Sequence, residues 1–301
     1  MHTQAVQFIG LGGAHSGSGF LYTHLAAHPS IHLLKQPTHF FTDEKVYSKG
    51  VEWYGAHFVQ AKHKGIYGEV ASEYLYDSEA PERIARVVPS AKLLAVVCNP
   101  IERLYKEYEY HTAHTLAAAN QTFVDFIETH PDALERGLFG KHLQRFFDLY
   151  SPLNLHVFVH EDRYNNPVHY VQSAYEFLEV DDTHFVPKPL RRFVTMDPDD
   201  LPPSPWYIRL LHLLLFPIWL FRINRLASWS WKKVRNYLPE RFRRLGGSST
   251  AVPLPQPKLL PIDDTLQSVL ADYYAADVRT LSRFVQRDLN AEWGIQLSQE
   301  G

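Results

Sequence analysis

Apolar residues in this chain recur in short runs that are separated by segments of helical periodicity. Three runs, at 5–11, 92–98 and 155–159, predict buried strands. Two shorter runs, at 31–34 and 66–70, predict further strands. Near-continuous apolar strands are typical of a parallel sheet that is covered on both faces. The pattern therefore predicts an α/β fold with a central parallel sheet of about five strands.

Between these runs, apolar residues spaced three or four positions apart predict helices. The first helix begins near Phe20 and ends before Pro29, because proline disfavours helical geometry in the residue before it. Proline at position 81 favours another helix start, since the first helical turn tolerates its missing N–H group. The later helices are predicted at 101–111, 123–128, 138–150, 168–178 and 265–288, with a short aromatic-rich one at 51–58.

The first strand and the first helix are joined by a turn rich in glycine and serine, at 12–19. Such a unit directs backbone N–H groups and the positive end of a helix to one point, which suits a phosphate or sulfate. The NTPase loop GxxxxGK[ST] is excluded, because Ser18 and Gly19 stand where its lysine and hydroxyl residue belong. The dinucleotide motif GxGxxG is also excluded, because His15 occupies its last glycine position. A tight turn without a ligand is the alternative interpretation.

Composition and charge narrow the class of protein. The 301 residues are 45% hydrophobic and 14% aromatic, which indicates a globular protein, and we expect one domain over 1–301. A formal net charge of −3 gives no global attraction for nucleic acid. The single cysteine, Cys98, excludes an internal disulfide framework. No secretory signal is recognised near Met1, so a cytoplasmic location is expected.

The character of the chain changes between residues 197 and 245. The run at 206–221 is strongly apolar but contains Arg209 and Pro217, so it is too short and too broken to span a membrane. We expect 197–245 to form an apolar and basic helical cap on the domain. Peripheral contact with a membrane surface through 206–233, where basic residues alternate with tryptophans, is the alternative.

Several runs of residues, taken together and in order, resemble the PAPS-dependent sulfotransferases of the bacterial and heparan-sulfate type, where PAPS is 3′-phosphoadenosine 5′-phosphosulfate. HSGSGFLYTHLAAHP at 15–29 is similar to the family's phosphosulfate loop, KxGTT(S/T)L followed by a helix that ends in HP. THFF at 38–41 and GEVASEYLYD at 68–77 match the positions of HFF and GEKTPSYL. KLLAVVCNPIERLYKEYEYH at 92–111 resembles the 3′-phosphate-binding strand and helix, KLIxxLRNPVERAYSxYxH.

The resemblance implies a P-loop-like three-layer sulfotransferase fold and transfer of a sulfuryl group from PAPS to a hydroxyl or amine. The acceptor would be a small molecule or a carbohydrate. The implied cofactor-binding residues lie in the glycine-rich loop, in the segment and helix that follow the fourth predicted strand, and near the C-terminus. They are Ser16, Gly17, Ser18, Gly19, Phe20, Asn99, Lys106 and Lys258.

The chain departs from the family pattern at functional positions. His15 stands where the family has its catalytic lysine, and supplies a positive charge only when it is protonated. Pro37 occupies the approximate position of a catalytic glutamate. Cys98 replaces an arginine and Lys106 replaces a serine at the 3′-phosphate, so Lys106 either restores one positive charge or is a solvated surface lysine. A sulfotransferase-fold binding or scaffold protein that has lost transfer, and a transferase that uses another donor, are the alternatives in function.

His39, Glu69 and Glu73 are the candidates for a general base, since each lies near the expected cleft, and His39 is alternatively a buried neighbour of the adjoining phenylalanines. His15, His39 and Glu69 are therefore the predicted catalytic residues. No metal site is expected among the 17 histidines, because Pro29 interrupts the helix that would align the fourfold-spaced positions 24, 28 and 32.

Overall fold

Five parallel strands form the centre of the computed structural model, which describes residues 6–59, 64–115, 118, 120–183 and 262–295. The strands are β1 (Val6–Leu11), β2 (Ile31–Leu33), β3 (Ile66–Val70), β4 (Lys92–Val97) and β5 (Leu155–Val159). The five predicted strands are confirmed, each within a residue or two of its predicted ends.

The sheet has the strand order β2-β3-β1-β4-β5, and every pairing in it is parallel. β1 lies in the middle, where Ile9 pairs with Glu69 of β3 and with Leu93 of β4. Because all strands run in one direction, their carboxyl ends meet at a single edge of the sheet. In open α/β sheets this edge is where ligands bind. The segments that follow β1, β3, β4 and β5 are therefore brought together here.

Helices cover both faces of the sheet, which makes three layers. One face packs against α1 (Gly19–Ala27) and α10 (Pro167–Phe177), where Phe8 and Leu94 of the sheet join Leu21 in a buried cluster. The other face carries a larger core. Its helices are α3 (Val51–Val59), α4 (Ala80–Val87), α5 (Pro100–His114), α6 (Phe123–Thr129), α8 (Phe139–Phe147) and α11 (Asp264–Val285).

Four short helices were not predicted from the sequence. They are α2 (Glu44–Tyr47), α7 (Pro131–Glu135), α9 (Asp162–Asn165) and α12 (Leu289–Trp293). Each has only four or five residues, which is too short to display a helical period of 3.6. Side-chain caps stabilise the start of some of these helices. The Asp43 carboxylate, for example, accepts hydrogen bonds from backbone N–H groups in the first turn of α2.

The long helix α11 belongs to the same core as the sheet. The Asp277 carboxylate accepts hydrogen bonds from the N–H groups of Gly140 and Lys141, at 2.8 and 2.7 Å, and so caps the start of α8. Tyr274 is fully buried, and its hydroxyl donates to the Leu134 carbonyl at 3.0 Å. The C-terminal part of the described chain therefore completes the core around the sheet.

Some predictions lie outside the described residues, namely the helical cap at 197–245, the membrane contact through 206–233 and the role of Lys258. Within the ranges that the structure describes, no helix combines the length and the apolar character needed to cross a bilayer.

Candidate functional site

The glycine-rich turn after β1 closes tightly on itself. The N–H group and the hydroxyl of Ser16 both donate to the Gly13 carbonyl, at 3.1 and 2.7 Å. His15 and Gly17 have φ angles of +60° and +76°, in the left-handed region. The turn therefore reverses the chain between β1 and α1 over a few residues, and Ser16 is fully buried inside it.

The start of α1 carries backbone donors without protein acceptors. No hydrogen bond joins the N–H groups of Gly17, Ser18 and Gly19 to any other residue in the described ranges. The Ser18 side chain makes no capping bond, and the first turn of α1 contains no acidic residue. Unpaired N–H groups and the positive end of the helix dipole favour an anion at this point.

Phe20 differs from the other predicted loop residues. Its side chain is 2% exposed and packs in the core against Tyr170, with ring centroids 6.0 Å apart. Its amide donates to the Gly17 carbonyl at 3.4 Å. Phe20 thus anchors α1 on the sheet and offers neither group to a ligand, so the structure does not support the prediction that it binds cofactor.

His15 turns towards helix α5. Its ring lies 5.3 Å from that of Tyr110, and Tyr110 in turn stacks on His114 at 4.1 Å. The imidazole is half-buried beside the anion-binding turn. His15 therefore lies against the C-terminal part of α5, and its ring contacts an aromatic ring there.

His160, which sequence reasoning did not single out, lies directly against Gly17. A Cβ atom placed on Gly17 would be 1.8 Å from His160 Cε1 and 2.1 Å from its Nδ1 atom. His160 is the residue that follows β5, and its amide donates to the Val97 carbonyl of β4 at 2.8 Å. Its position after a parallel strand at the ligand-binding edge was the available signal.

A histidine–glutamate pair lies beside the turn on the β3 side. His39 Nδ1 is 2.5 Å from Glu73 Oε1, and the two side chains are 55% and 37% exposed. Glu73 belongs to a short 3₁₀ turn, Ser72–Leu75, whose Ser72 backbone would lie 3.5 Å from a Cβ on Gly12. The pair is therefore accessible and adjacent to the candidate anion site, and His39 is not buried with the neighbouring phenylalanines.

Glu69 was predicted to be catalytic, but the structure gives it a different position. The residue is fully buried, and its carboxylate accepts hydrogen bonds from the Thr38 amide at 2.8 Å and the Tyr74 hydroxyl at 2.9 Å. The Thr38 hydroxyl adds a third donor at 2.9 Å. Burial and the nearby Glu69 charge raise the pKa of Tyr74 above its usual range. Glu69 therefore fixes the segment that carries His39, and has no exposed oxygen for an acceptor.

The carboxyl end of β4 leads into α5 through Asn99. The Asn99 side chain caps the helix by accepting from the amides of Ile101 and Glu102, at 2.9 and 3.4 Å. The backbone N–H group of Asn99 donates to Glu161 Oε1 at 2.9 Å. Asn99 therefore orients α5 at the site, and its side-chain oxygen is occupied by the cap.

Lys106 lies near two carboxylates and Cys98. Burial opposes its charge, yet the neighbouring carboxylates of Glu102 and Glu161 raise the pKa of Lys106 above its ordinary value. Cys98 is fully buried, and burial raises the pKa of its thiol to about 12, so it is a neutral thiol. Lys106 is therefore a partly buried cation in the site region, and Cys98 cannot replace an arginine at an anion.

Glu161 is the second residue after β5 that sequence reasoning missed. Burial raises the pKa of its carboxyl to about 7, although the hydrogen bond from Asn99 acts in the opposite direction. Its Oε2 atom is buried and has no hydrogen-bond partner in the described residues. Glu161 therefore changes charge near neutral pH, close to Lys106.

The three histidines with fourfold spacing point to separate partners. His24 contacts the Phe20 carbonyl at 2.8 Å, His28 the Asp181 carbonyl at 3.0 Å and His32 the Lys64 carbonyl at 3.5 Å. Each ring therefore has its own local role and the three do not converge.

A parallel sheet of this order, with a glycine-rich turn and a helix N-terminus at its carboxyl edge, defines a P-loop-like α/β protein. The chain belongs to the sulfotransferase domain family, whose model matches residues 8–196, more than half of the chain. The matched segment includes most of β1, the other four strands, the glycine-rich turn and α5. The resemblance found in the sequence motifs is confirmed.

Two relatives are similar in sequence. The bifunctional heparan sulfate N-deacetylase/N-sulfotransferase 4 of Mus musculus is 28% identical over 193 residues, which is 58% of this chain and 22% of that protein. The heparan sulfate glucosamine 3-O-sulfotransferase 6 of Homo sapiens is 29% identical over 180 residues, 56% of this chain and 52% of that protein. The chain thus spans about a fifth to a half of the length of these curated relatives.

One solved structure supports the fold over nearly the entire chain. The crystal structure of a sulfotransferase from Alicyclobacillus acidocaldarius aligns with a TM-score of 0.60 and 18% identity. The alignment covers 96% of this chain and 98% of that one. The predicted sulfotransferase fold is therefore confirmed.

Proposed function

We propose that this protein is a sulfotransferase that moves a sulfuryl group from PAPS to a hydroxyl or amine of a carbohydrate or small-molecule acceptor. The observation that carries the proposal is the set of amides at Gly17, Ser18 and Gly19 that lack protein acceptors. In a member of the sulfotransferase domain family, these donors suit the 5′-phosphosulfate of PAPS. PAPS supplies the activated sulfuryl group, and the protein supplies positioning and electrostatic stabilisation.

The loop has two proposed tasks. The three amides hold the anionic end of the donor, and the helix dipole of α1 stabilises the charge that develops on the leaving phosphate oxygen. His15, in the position of the family's lysine, is a proposed catalytic residue that adds positive charge when it is protonated. The contact between His15 and Tyr110 keeps the ring beside the turn.

Lys106 is the proposed partner of the 3′-phosphate. It is a partly buried cation near Cys98, at the carboxyl edge of the sheet. Glu102 and Glu161 favour its charged form, but they also reduce the net positive potential that a phosphate meets. The site is therefore weaker for a 3′-phosphate than one with an arginine and a serine.

His39 is the proposed general base, and Glu73 orients it. The Glu73 carboxylate holds the ring through Nδ1, so the other ring nitrogen, Nε2, is the atom that we propose takes the proton. As the acceptor oxygen or nitrogen bonds to sulfur, its proton passes to His39 and the sulfur–oxygen bond to the nucleotide phosphate breaks. The short separation of the pair and its exposure support this role.

A carbohydrate acceptor is favoured because the relatives named above act, by name, on heparan sulfate or its glucosamine. A small-molecule acceptor is the second class that we propose to test. The cytoplasmic location remains a prediction from the sequence.

Calorimetric titration with adenosine 3′,5′-bisphosphate tests the donor site. We expect saturable binding, and the absence of binding at millimolar nucleotide would contradict the proposal. Transfer is then measured with sulfur-labelled PAPS against desulfated heparan chains and phenolic acceptors. Label in either acceptor identifies its class, and nucleotide binding without label in any acceptor would leave a binding protein in place of an enzyme.

A further inference from the structure

The imidazole of His160 is almost completely buried at the anion-binding turn, yet one of its nitrogens lacks a partner. The residue is 2% exposed, and Nδ1 forms no hydrogen bond within the described residues. The ring edge that carries Nδ1 faces Gly17, as the close approach to a Cβ at that position shows. A buried polar atom without a partner is unfavourable, so such atoms in native proteins call for an explanation.

The surrounding groups indicate which nitrogen carries the proton. The Tyr164 hydroxyl lies 3.4 Å from His160 Nε2 and 2.9 Å from Arg163 Nη2. Because the guanidinium can only donate, the hydroxyl accepts from Arg163, and we assign its own proton to the contact with Nε2. In the neutral ring the proton is then on Nδ1, which becomes a donor that faces the loop.

The charges around His160 favour this neutral form in the unliganded protein. Burial lowers the pKa of His160 well below its usual value, and the cations Arg163 and Lys106 lower it further. The Gly17 carbonyl, which lies near the ring but does not reach hydrogen-bond geometry with Nδ1, raises the pKa in part. Because these two cations are close enough to His160 to lower its pKa, they also favour an anion beside the ring. An anion held by the amides of Gly17 and Ser18 would therefore meet a pre-formed donor and a positive environment.

We propose that the Nδ1–H group of His160 donates a hydrogen bond to the anionic 5′ end of the nucleotide bound at Gly17, Ser18 and Gly19, which makes His160 a donor-binding residue. This inference rests on the proposed function. It explains the unpartnered nitrogen, because the partner is an oxygen of the ligand. It also assigns to the residue after β5 part of the binding that the family lysine would provide at position 15.

Two variants of His160 and one control separate binding from packing. His160→Phe retains a ring but removes the donor, and His160→Asn places an amide donor near the position of Nδ1. His156→Phe is the matched control, because His156 lies on β5, the strand that leads to His160, and packs against Phe158 and Phe177. The affinity for adenosine 3′,5′-bisphosphate is measured by calorimetry, and folding is checked by thermal unfolding.

We expect His160→Phe to weaken nucleotide binding about tenfold or more, as for the loss of a hydrogen bond to a charged group. His160→Asn should restore most of the affinity, and His156→Phe should leave it unchanged. Equal affinity of His160→Phe and the wild-type protein would overturn the inference while the proposed function stands. No nucleotide binding by the wild-type protein would overturn both.

Nuclear magnetic resonance of the wild-type protein provides a test that does not depend on variant folding. With histidine labelled with nitrogen-15, the Nδ1 signal of His160 should shift when adenosine 3′,5′-bisphosphate is added, and the signal of His156 should not. A His160 signal that stays unchanged at saturating nucleotide would refute the hydrogen bond.

Discussion

Substitution of Gly17 by alanine tests the geometry of the turn most directly. Gly17 has a φ angle of +76°, and an alanine in this left-handed region is destabilised by about 1–2 kcal/mol. The added Cβ would also lie 1.8 Å from the His160 ring, so the ring or the turn must move. Overpacking of this kind costs about 1–3 kcal/mol. We therefore expect Gly17→Ala to lower the free energy of unfolding by about 2–5 kcal/mol.

Gly50 provides a matched control for the conformational part of this effect. It has a φ angle of +86°, and no atom lies within 4 Å of a Cβ placed there. Gly50→Ala should therefore lower stability only by the backbone contribution. The difference between the two variants measures the contact with His160. Urea unfolding followed by circular dichroism gives both values.

The double variant Gly17→Ala with His160→Ala completes the test. Removal of the ring leaves room for the new methyl group, so Gly17→Ala should destabilise less in the His160→Ala background than in the wild type. If Gly17→Ala and Gly50→Ala are equally destabilising, the ring does not occupy the space beside Gly17, and His160 does not line the site.

Three further predictions concern the proposed roles of individual side chains. His39→Ala should lower kcat about 10²–10⁴-fold with little change in nucleotide affinity, and Glu73→Gln should have a smaller effect in the same direction; an unchanged kcat in a transfer assay would exclude His39 as the base. Lys106→Ala should weaken binding of adenosine 3′,5′-bisphosphate about tenfold but leave binding of adenosine 5′-monophosphate unaffected. Calorimetry measures both affinities, and an equal loss for the two nucleotides would argue against contact with the 3′-phosphate. The pKa of Glu161 is raised from 4.5 to about 7, so the folded protein retains a proton that the unfolded chain releases, and stability falls by on the order of 3 kcal/mol as the pH rises through this window. Glu161→Gln should abolish that fall in urea unfolding at pH 5 and pH 8, and the same decrease in the variant would contradict the assignment.

Much of the fold could be predicted because the strands are buried on both faces. β1 and β4 are nearly continuous apolar runs, which makes them distinct from helices that expose one side. The glycine-rich turn was also visible, since glycine and serine follow the apolar run directly. These signals are local in sequence, so they need no knowledge of tertiary contacts.

The site was harder to predict because its contacts are distant in sequence. The sequence suggested that Glu69 is a base, but its carboxylate is buried and accepts hydrogen bonds from Thr38, which lies 31 positions away, and from Tyr74. His160 and Glu161 follow the last strand of the sheet, and only the strand order brings them to the turn after β1. A general rule that residues after parallel strands line the ligand edge would have placed both among the candidates.

Asp277 in α11 caps the start of α8, and the ribosome synthesises these two helices at well-separated times. The sheet and α8 emerge from the ribosome first, but the start of α8 lacks its acceptor, and the core lacks the Tyr274 ring, until α11 follows. A nascent chain that ends before α11 therefore exposes apolar surface and is prone to aggregate. Completion of the fold must wait until translation of this helix is finished.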